Sequence, residues 1–502
     1  MTRPDGLLLV GAITSAMGVA LWSDGHRRYV FGRALLTALA VFAVIYGGYF
    51  SWRVMYYGQL WPNTFYVKVG FSSYQIERGV DYVQKTLLVM GLYPLVFGAA
   101  LRVVLWRGWF RCAEAHSRMM RPASLAAMAG FGLLYLMYLI YIGGDYFGPR
   151  LALSVVVVLV MLSADAIVEV AAARRSTPVI AVVIVVLFWI FFFVRTLRAF
   201  YPEQSIAGIQ PNWNRLGLWL RENAPAESVI AVDAAGAVPY FSRLRAVDMF
   251  GLNDLYIAHI DIPNMGSGKA GHEKYDPVYI YRKNPDWIAS WIHRNGLPDI
   301  GLSLWPEIER YSLYMVIAKD ELRPWYHIVD NDTDIQALWD EGYQYGLWKR
   351  NERIVPAYRE VDLSTMAKRG LWEERWRAIQ SFNYLFSHQP GAMLQFDVEG
   401  GGMLSLVTIC HHWSGMIDVY IADVRYRVDL YASEESSLPQ CVYSFDLPNI
   451  ATERIPVTIE VLPDKNPASA STEVFINRVL IFHERWHSST ARRVQETSEM
   501  FD

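Results

Sequence analysis

Lys68, Asp145 and Arg150 are the side chains whose type and setting point most directly to chemistry. Each sits in a short polar segment between long apolar stretches. Residues 56–70 read YYGQLWPNTFYVKVG, and their rings suit a lipid headgroup region, where an apolar ring and a polar tip are both satisfied. Lys68 in that setting can meet a lipid phosphate; a lysine snorkelling from an aromatic belt accounts for it equally well. Residues 143–150 read GGDYFGPR. The glycines and a proline make a tight, non-helical turn that brings Asp145 and Arg150 together. That pair can orient a charged ligand, or it can be an ion pair that closes a short loop.

Weaker candidates lie further along. Residues 265–276, MGSGKAGHEKYD, read as a flexible polar loop able to fold over a phosphate or a sugar, with His272 and Lys274 as contacts. An ordinary surface loop has the same composition. Asp233 and Asp254 fall at strand ends, where open α/β sheets often meet their ligands and where capping and turn roles are as common. No metal is expected, because His272 has no second histidine four residues on and the three cysteines show no paired spacing. The glycine fingerprint of a dinucleotide site is missing, so no cofactor is expected either.

The elements that must hold these residues divide the chain into three. Residues 1–200 carry six apolar stretches, 7–22, 34–50, 87–105, 125–142, 151–171 and 178–194, most of them near the ~20 residues that cross a bilayer as a helix. They raise the whole chain to 53% hydrophobic and predict a helical transmembrane bundle. Arginines collect in one set of loops: Arg27, Arg28 and Arg33, then Arg107, Arg111, Arg118 and Arg121, then Arg174 and Arg175. The positive-inside rule makes those loops cytoplasmic. The expected location is therefore a bacterial inner membrane, crossed several times, with residues 51–86, 143–150 and everything after Val194 outside. Membrane lipids are expected partners. The net charge of −3 and the lack of a long basic block argue against nucleic acid. Cys112 falls on the reducing side, whereas Cys410 and Cys441 fall where a disulfide can persist.

Residues 201–354 read as a small α/β domain. Residues 212–223 have helical spacing, 228–242 read strand, glycine turn and short helix, and 245–254 read strand and loop. Residues 286–296, DWIASWIHRNG, predict an amphipathic helix packed on the sheet. From 355 to 502 short alternating strands such as IDVYIADVRYRVDLY and IPVTIEVLP predict an all-β sandwich. Trp413, Tyr420, Tyr426, Tyr431 and His411 can line a sugar platform there or pack in its core.

Three segments together, RPDGLLL (3–9), YYGQLWPNTFYVK (56–68) and GGDYFGPR (143–150), resemble the GT-C class of membrane glycosyltransferases. Within that class they resemble the terminal arabinofuranosyltransferases and pilin arabinosyltransferases. Residues 232–254 with GHEKYD (271–276) are similar to the extracytoplasmic domain attached to such proteins. IDVYIADVRYRVDLY and DKNPASAST resemble a jelly-roll, carbohydrate-binding module, with Ala422-Asp423 replacing the module's usual Asp-Gly turn.

The resemblance implies transfer of a sugar, arabinofuranose among the candidates, from a polyprenyl-phosphate donor to an extracytoplasmic glycan or glycoprotein acceptor. Lys68 and Arg150 would then meet the donor phosphate, and Asp145 would orient or bind the donor. Asp233, Asp254, His272 and Lys274 would lie toward the substrate. The class carries its catalytic aspartates in a first extracytoplasmic loop that has no counterpart here, so no catalytic base is assigned. That departure, and a chain starting outside the membrane with almost no tail, predict that N-terminal residues are missing. A non-catalytic, membrane-anchored envelope-glycan-binding protein, or an inactive transferase fragment, fits the same sequence. A transporter fits less well, since the spans hold few ionisable residues and no inverted repeat.

Overall fold

A computed structural model describes residues 6–23, 28–70, 72–104, 117–146, 148–173, 190–191, 194, 212–298, 301–319, 324–377, 382–433, 438–449, 454–486 and 491–493. The chain forms two compact units: Met1–Gly208 with Gly251–Ile260 and Asn264–Glu273, and Ile209–Phe250 with Asp261–Pro263 and Lys274–Asp502.

The first unit is helical: α1 (Gly6–Ser23), α2 (Arg28–Tyr57), α3 (Asn63–Lys68), α4 (Ser73–Val89), α5 (Tyr93–Val104), α6 (Ser117–Tyr141) and α7 (Leu153–Ala173). Helix α6 packs against α1, α4 and α7, and α5 lies along α7. The core between them is built by Tyr135, Leu139, Ile142 and Val155. Two helical segments, Gly32–Tyr57 and Gly148–Ala166, are long and apolar enough to cross a membrane, by length and composition. The apolar surface of the first is largely uncovered, with Val44 75% and Met55 85% exposed. Gly6–Gly18 and Leu125–Tyr141 are shorter apolar helices.

The stretch 87–105 is not one span. Helix α4 ends at Val89, Gly91 turns left-handed at φ 59°, and α5 starts at Tyr93; glycine enters that conformation without the penalty a Cβ brings. Most of 178–194, the segment 3–5 of the first motif, Cys112 and most of the arginine-rich loops lie outside the described residues.

The second unit opens with α8 (Trp213–Asn223), β1 (Val229–Val232), α9 (Ala237–Ser242) and β2 (Arg245–Asp248). It continues with α10 (Pro277–Arg282), β3 (Trp287–Trp291), β4 (Tyr311–Ala318), β5 (Tyr326–Ile328), α11 (Ile335–Glu341) and β6 (Tyr343–Arg350). The six strands order as β2-β1-β3-β6-β4-β5, with β1 parallel to both neighbours and the others antiparallel. Residues 286–296, expected as a helix, instead supply β3. That strand is central and buried on both faces, so its apolar run carries no period of two to separate it from a helix.

A β-sandwich follows, made of β7 (Tyr358–Glu360), β8 (Ala367–Arg369), β9 (Glu373–Arg377), β10 (Phe382–Ser387), β11 (Met393–Glu399), β12 (Met403–Cys410), β13 (Met416–Ile421), β14 (Val424–Asp429), β15 (Leu438–Asp446), β16 (Arg454–Val461), β17 (Val474–Phe482) and β18 (Ala491–Arg493). One sheet runs β18-β15-β12-β17-β10-β9 with β7 also on β17, and the other runs β14-β13-β16-β11-β8. Their inner faces meet through Leu404, Leu406, Val419, Val457, Ile459 and Ile476.

Strands β12 and β17 do not show a half-buried alternation, because both of their faces are covered. Leu480 and Phe482 turn outward onto Leu304, Val355 and Trp305. Cys410 and Cys441, buried on β12 and β15, form a disulfide with Cα atoms 6.0 Å apart. The β13–β14 hairpin turns tightly at Ala422-Asp423, with Ala422 held left-handed at φ 51°. The altered dipeptide therefore still makes a turn.

Candidate functional site

The residues singled out from the two polar loops converge in the helical unit. Lys68 closes α3, and Ser72 caps the next helix by accepting the Gln75 N–H at 3.2 Å. Asp145 lies in the turn after α6. Gly143 and Gly144 both take positive φ there, 72° and 76°. A Cβ on Gly143 would stand 2.7 Å from Arg78 Nη2, and one on Gly144 would stand 2.4 Å from Tyr82 Cγ. Only glycine allows the turn to lie flat on α4.

That turn buries the Asp145 carboxylate, leaving 1% of its side chain exposed. Lys68 Nζ donates to Oδ1 at 3.0 Å. Arg150 donates through Nε to Oδ2 and through Nη2 to Oδ1, the latter at 3.3 Å. Burial alone would raise the Asp145 pKa, but the Arg150 hydrogen bonds and the charge of Lys68 hold it below the usual carboxylate value. A carboxylate so stabilised is a weak base and a good anchor. Two cations around one anion leave the cluster with a surplus positive charge, and Arg150 keeps 54% of its side chain exposed.

Helix α4 braces this cluster through one face. The Gln75 amide donates to the Tyr141 carbonyl at 2.7 Å and accepts the Gly70 N–H at 2.7 Å. Arg78 donates to the Gly143 carbonyl at 3.0 Å, the Gly268 carbonyl at 2.8 Å and Glu273 at 2.5 Å. Its Nη2 is buried without a hydrogen-bond partner among the described residues. Glu273 is fully buried and also accepts the N–H groups of Gly266 at 2.7 Å and Gly268 at 2.8 Å. The segment expected as a flexible polar loop is therefore folded around a buried carboxylate at this point.

Beside the turn lies an open cavity of about 270 Å³, bordered by Arg78, Lys85, Lys269, Asp81, Tyr82 and Asp145. Burial and the nearby Asp145 charge push the Tyr82 phenol up to about 12, so it stays protonated and donates to the Gly148 carbonyl at 3.0 Å. His272 packs against Tyr146, ring centroids 5.2 Å apart and planes tilted by 59°. Burial, with the charges of Lys269 and Lys68, lowers its pKa and favours the neutral ring.

The other candidates are not gathered here. Asp254 caps the short helix Leu255–His259 by accepting the Ile257 N–H at 3.0 Å. Lys274 is buried in the second unit. Asp233 ties three strands of the α/β sheet, accepting from the Tyr345 hydroxyl at 2.6 Å, the Ser290 hydroxyl at 3.1 Å and the Trp291 N–H at 3.1 Å. Burial raises its pKa to about 6 against those three donors. The folded protein thus keeps a proton that the unfolded chain releases above pH ~4. Stability from this group is complete below that pH and falls by about 3 kcal/mol as pH rises to about 6. We expect Asp233→Asn to flatten this slope, read as pH-dependent hydrogen-exchange protection of β1, β3 and β6 amides after correction for intrinsic rates; an unchanged slope contradicts the assignment.

The ring residues weighed between a sugar platform and core packing in the sandwich fall in different places, with Tyr431 bridged to His411. Tyr426 is in the core against Phe445. Trp413 packs with His411 at 4.1 Å over Phe386, Ile409 and Phe475 on the outer face of the larger sheet. Tyr420 stands on the outer face of the smaller sheet, apart from both. Gln75, Arg78 and Tyr82 were not singled out from the sequence, and Glu273 only as a member of the 265–276 polar loop. The first three share one face of a helix in the register i, i+3, i+7, which was a usable signal. Glu273 offered none, because its partner lies 195 residues away.

A family model described as a domain of unknown function (DUF8728) matches residues 203–389, the α/β region and the first strands of the sandwich. No curated protein matches this chain. Among solved structures, the CBM36-1 domain of a multidomain xylanase from the hindgut metagenome of Trinervitermes trinervoides is 13% identical, with 25% of this chain and 96% of that chain covered at a TM-score of 0.19. The CBM6-3 module from Clostridium stercorarium, solved with cellobiose, is 10% identical, with 25% and 93% covered and a TM-score of 0.19. A family two carbohydrate esterase from Cellvibrio japonicus is 16% identical; 26% of this chain and 34% of that chain are covered, again at 0.19.

Proposed function

We propose that this protein binds a polyprenyl-phosphate-linked sugar at the Lys68–Asp145–Arg150 cluster and serves its transfer, outside a bacterial inner membrane, to a glycan or glycoprotein. One observation carries the reading: the buried Asp145 carboxylate, which lines an open cavity with Arg78, Lys85 and Lys269, clamps the two cations Lys68 and Arg150. Asp145 fixes the cations, so their N–H groups need little reordering to meet a phosphate. Departure of a phosphate from a sugar builds negative charge, and fixed cations stabilise it most where water is scarce. The two long apolar helices support a membrane-borne donor, and the Cys410–Cys441 bridge supports an oxidising compartment for the sandwich. The GT-C resemblance of residues 56–68 and 143–150 supports the reading, since Lys68, Asp145 and Arg150 belong to those two segments.

A second reading has its own observation. Both carboxylates that border the cavity are paired, Asp145 with its two cations and Asp81 with Lys85 at 2.6 Å. Neither is a free base, which favours a chain that binds donor or glycan without catalysing transfer. An assay with labelled polyprenyl-phosphate sugar and the full chain in vesicles separates the two. Transfer that Lys68→Ala and Arg150→Ala abolish supports the transferase; binding of the donor without transfer supports the second reading. Transfer that survives both substitutions contradicts the site.

A further inference from the structure

The connection between β2 and α10 carries an apolar surface that the phosphate site does not use. Its short helix Leu255–His259 buries Ile257 and Ala258 completely. On the other side Leu255 is 51% and Tyr256 49% exposed, with His259 exposed beside them. A helix apolar on both faces needs something other than water against the second one.

That second face is linked to the end of α2, within the same compact unit. The His259 ring packs on Tyr66 of α3, with centroids 4.1 Å apart. The Tyr66 hydroxyl accepts the Trp61 N–H at 3.3 Å. Leu60, next in the chain, is exposed, and its carbonyl accepts from Arg53 Nη1 of α2 at 2.9 Å. The exposed rings of Trp52, Tyr56 and Tyr57 complete this end of α2, Trp52 stacking on Tyr56 at 5.6 Å.

Length gives the depth of this surface. The apolar run Gly32–Tyr57 has 26 residues, about 39 Å of helix against a hydrocarbon core of about 30 Å. With Arg33 at the opposite boundary, roughly the last six residues, Trp52–Tyr57, stand in the headgroup layer. Tyrosine and tryptophan are the rings that favour that layer.

We infer that the Leu255–His259 turn is a further membrane contact of this chain, with Leu255 and Tyr256 seated at the boundary of headgroups and acyl chains beside the exit of α2. The surface continues from a helix whose uncovered apolar length calls for a bilayer, which favours lipid as the occupant. Leu60, Leu255 and Tyr256, each about half exposed, supply far less than the about 800 Å² per partner of a stable protein interface. The inference rests on the membrane reading of α2 made above. It sets residues 268–270, which follow in the chain and border the cavity, near headgroup depth, where a lipid-linked phosphate lies.

The test is nitroxide accessibility in the full chain, reconstituted in phosphatidylcholine–phosphatidylglycerol nanodiscs after Cys112→Ser, with the Cys410–Cys441 bridge intact. Single labels are placed through Leu255→Cys and Tyr256→Cys, both at exposed positions, so no core contact is lost. Val44→Cys on α2 reports the bilayer interior, and Asp423→Cys on the exposed β13–β14 turn reports water. Labels at 255 and 256 are expected to favour oxygen over a water-soluble nickel chelate several-fold more than the label at 423, and less than the label at 44. Nickel access at 255 and 256 equal to that at 423, with 44 still in lipid, overturns this inference and leaves the membrane reading standing. Low access to both reagents at 255 and 256 means a protein cover and also overturns it. Nickel access at 44 as well overturns both readings.

Discussion

Gly79→Ala is expected to unfold or severely loosen the helical unit, although alanine normally stabilises a helix by about 1 kcal/mol over glycine. A Cβ at this position would stand 2.1 Å from the Ile140 carbonyl oxygen and 2.6 Å from its Cα. Backbone faces backbone, so no rotamer change relieves the clash and α4 must move off α6. Overpacking of this kind costs about 3 kcal/mol or more. It also pulls α4, which braces the site through Gln75 and Arg78, away from α6, which leads into the Asp145 turn. Gly47→Ala is the matched control, since nothing lies within 4 Å of its Cβ position. We expect a melting temperature well below that of the control in detergent, with loss of phosphate-ligand binding. Equal melting of the two variants contradicts the packing of α4 on α6.

The second large effect is expected at Arg478. It is 3% exposed, on the outer face of β17. Its Nε and Nη2 donate to Glu360, both at 2.7 Å, and its Nη1 donates to the Leu304 carbonyl at 3.1 Å. Its guanidinium lies 3.3 Å over the Trp305 ring. One side chain therefore joins the sandwich to the connection between β3 and β4 of the α/β sheet. Arg478→Ala leaves Glu360 without its partner and Trp305 without its cover, at a cost of about 2–3 kcal/mol. Glu360 keeps 42% of its side chain in water, which holds the figure to that range. Arg478→Lys recovers little, because an ammonium cannot reproduce the bidentate fork. The measurement is the denaturant midpoint of the second unit, followed by tryptophan fluorescence. A midpoint unchanged in both variants contradicts the role.

Parts of this were legible in the sequence for local reasons. The 143–150 turn was, because its glycines and proline have few other conformations. The α8, β1, α9, β2 succession was, because caps, glycine and apolar spacing agree over short distances. The sandwich was, because β16 and the β13–β14 hairpin alternate cleanly. What failed was non-local. The strand at 287–291 has both faces covered by residues distant in sequence, so its pattern was ambiguous. The bracing of the site by Arg78 and Glu273 joins residues that no local spacing links. The division of aromatics between core, outer patch and open face depended on which sheet each strand joined.

The measurement that bears most directly on the central claim is binding of polyprenyl phosphate, without a sugar, to the full chain in nanodiscs. Charge-assisted contacts contribute about 1.5–3 kcal/mol each. The parent chain is predicted to bind, and the Lys68→Ala, Arg150→Ala double variant to lose on the order of a hundredfold or more in affinity. Binding by the folded double variant within about threefold of the parent would contradict the assignment of these two cations to a donor phosphate.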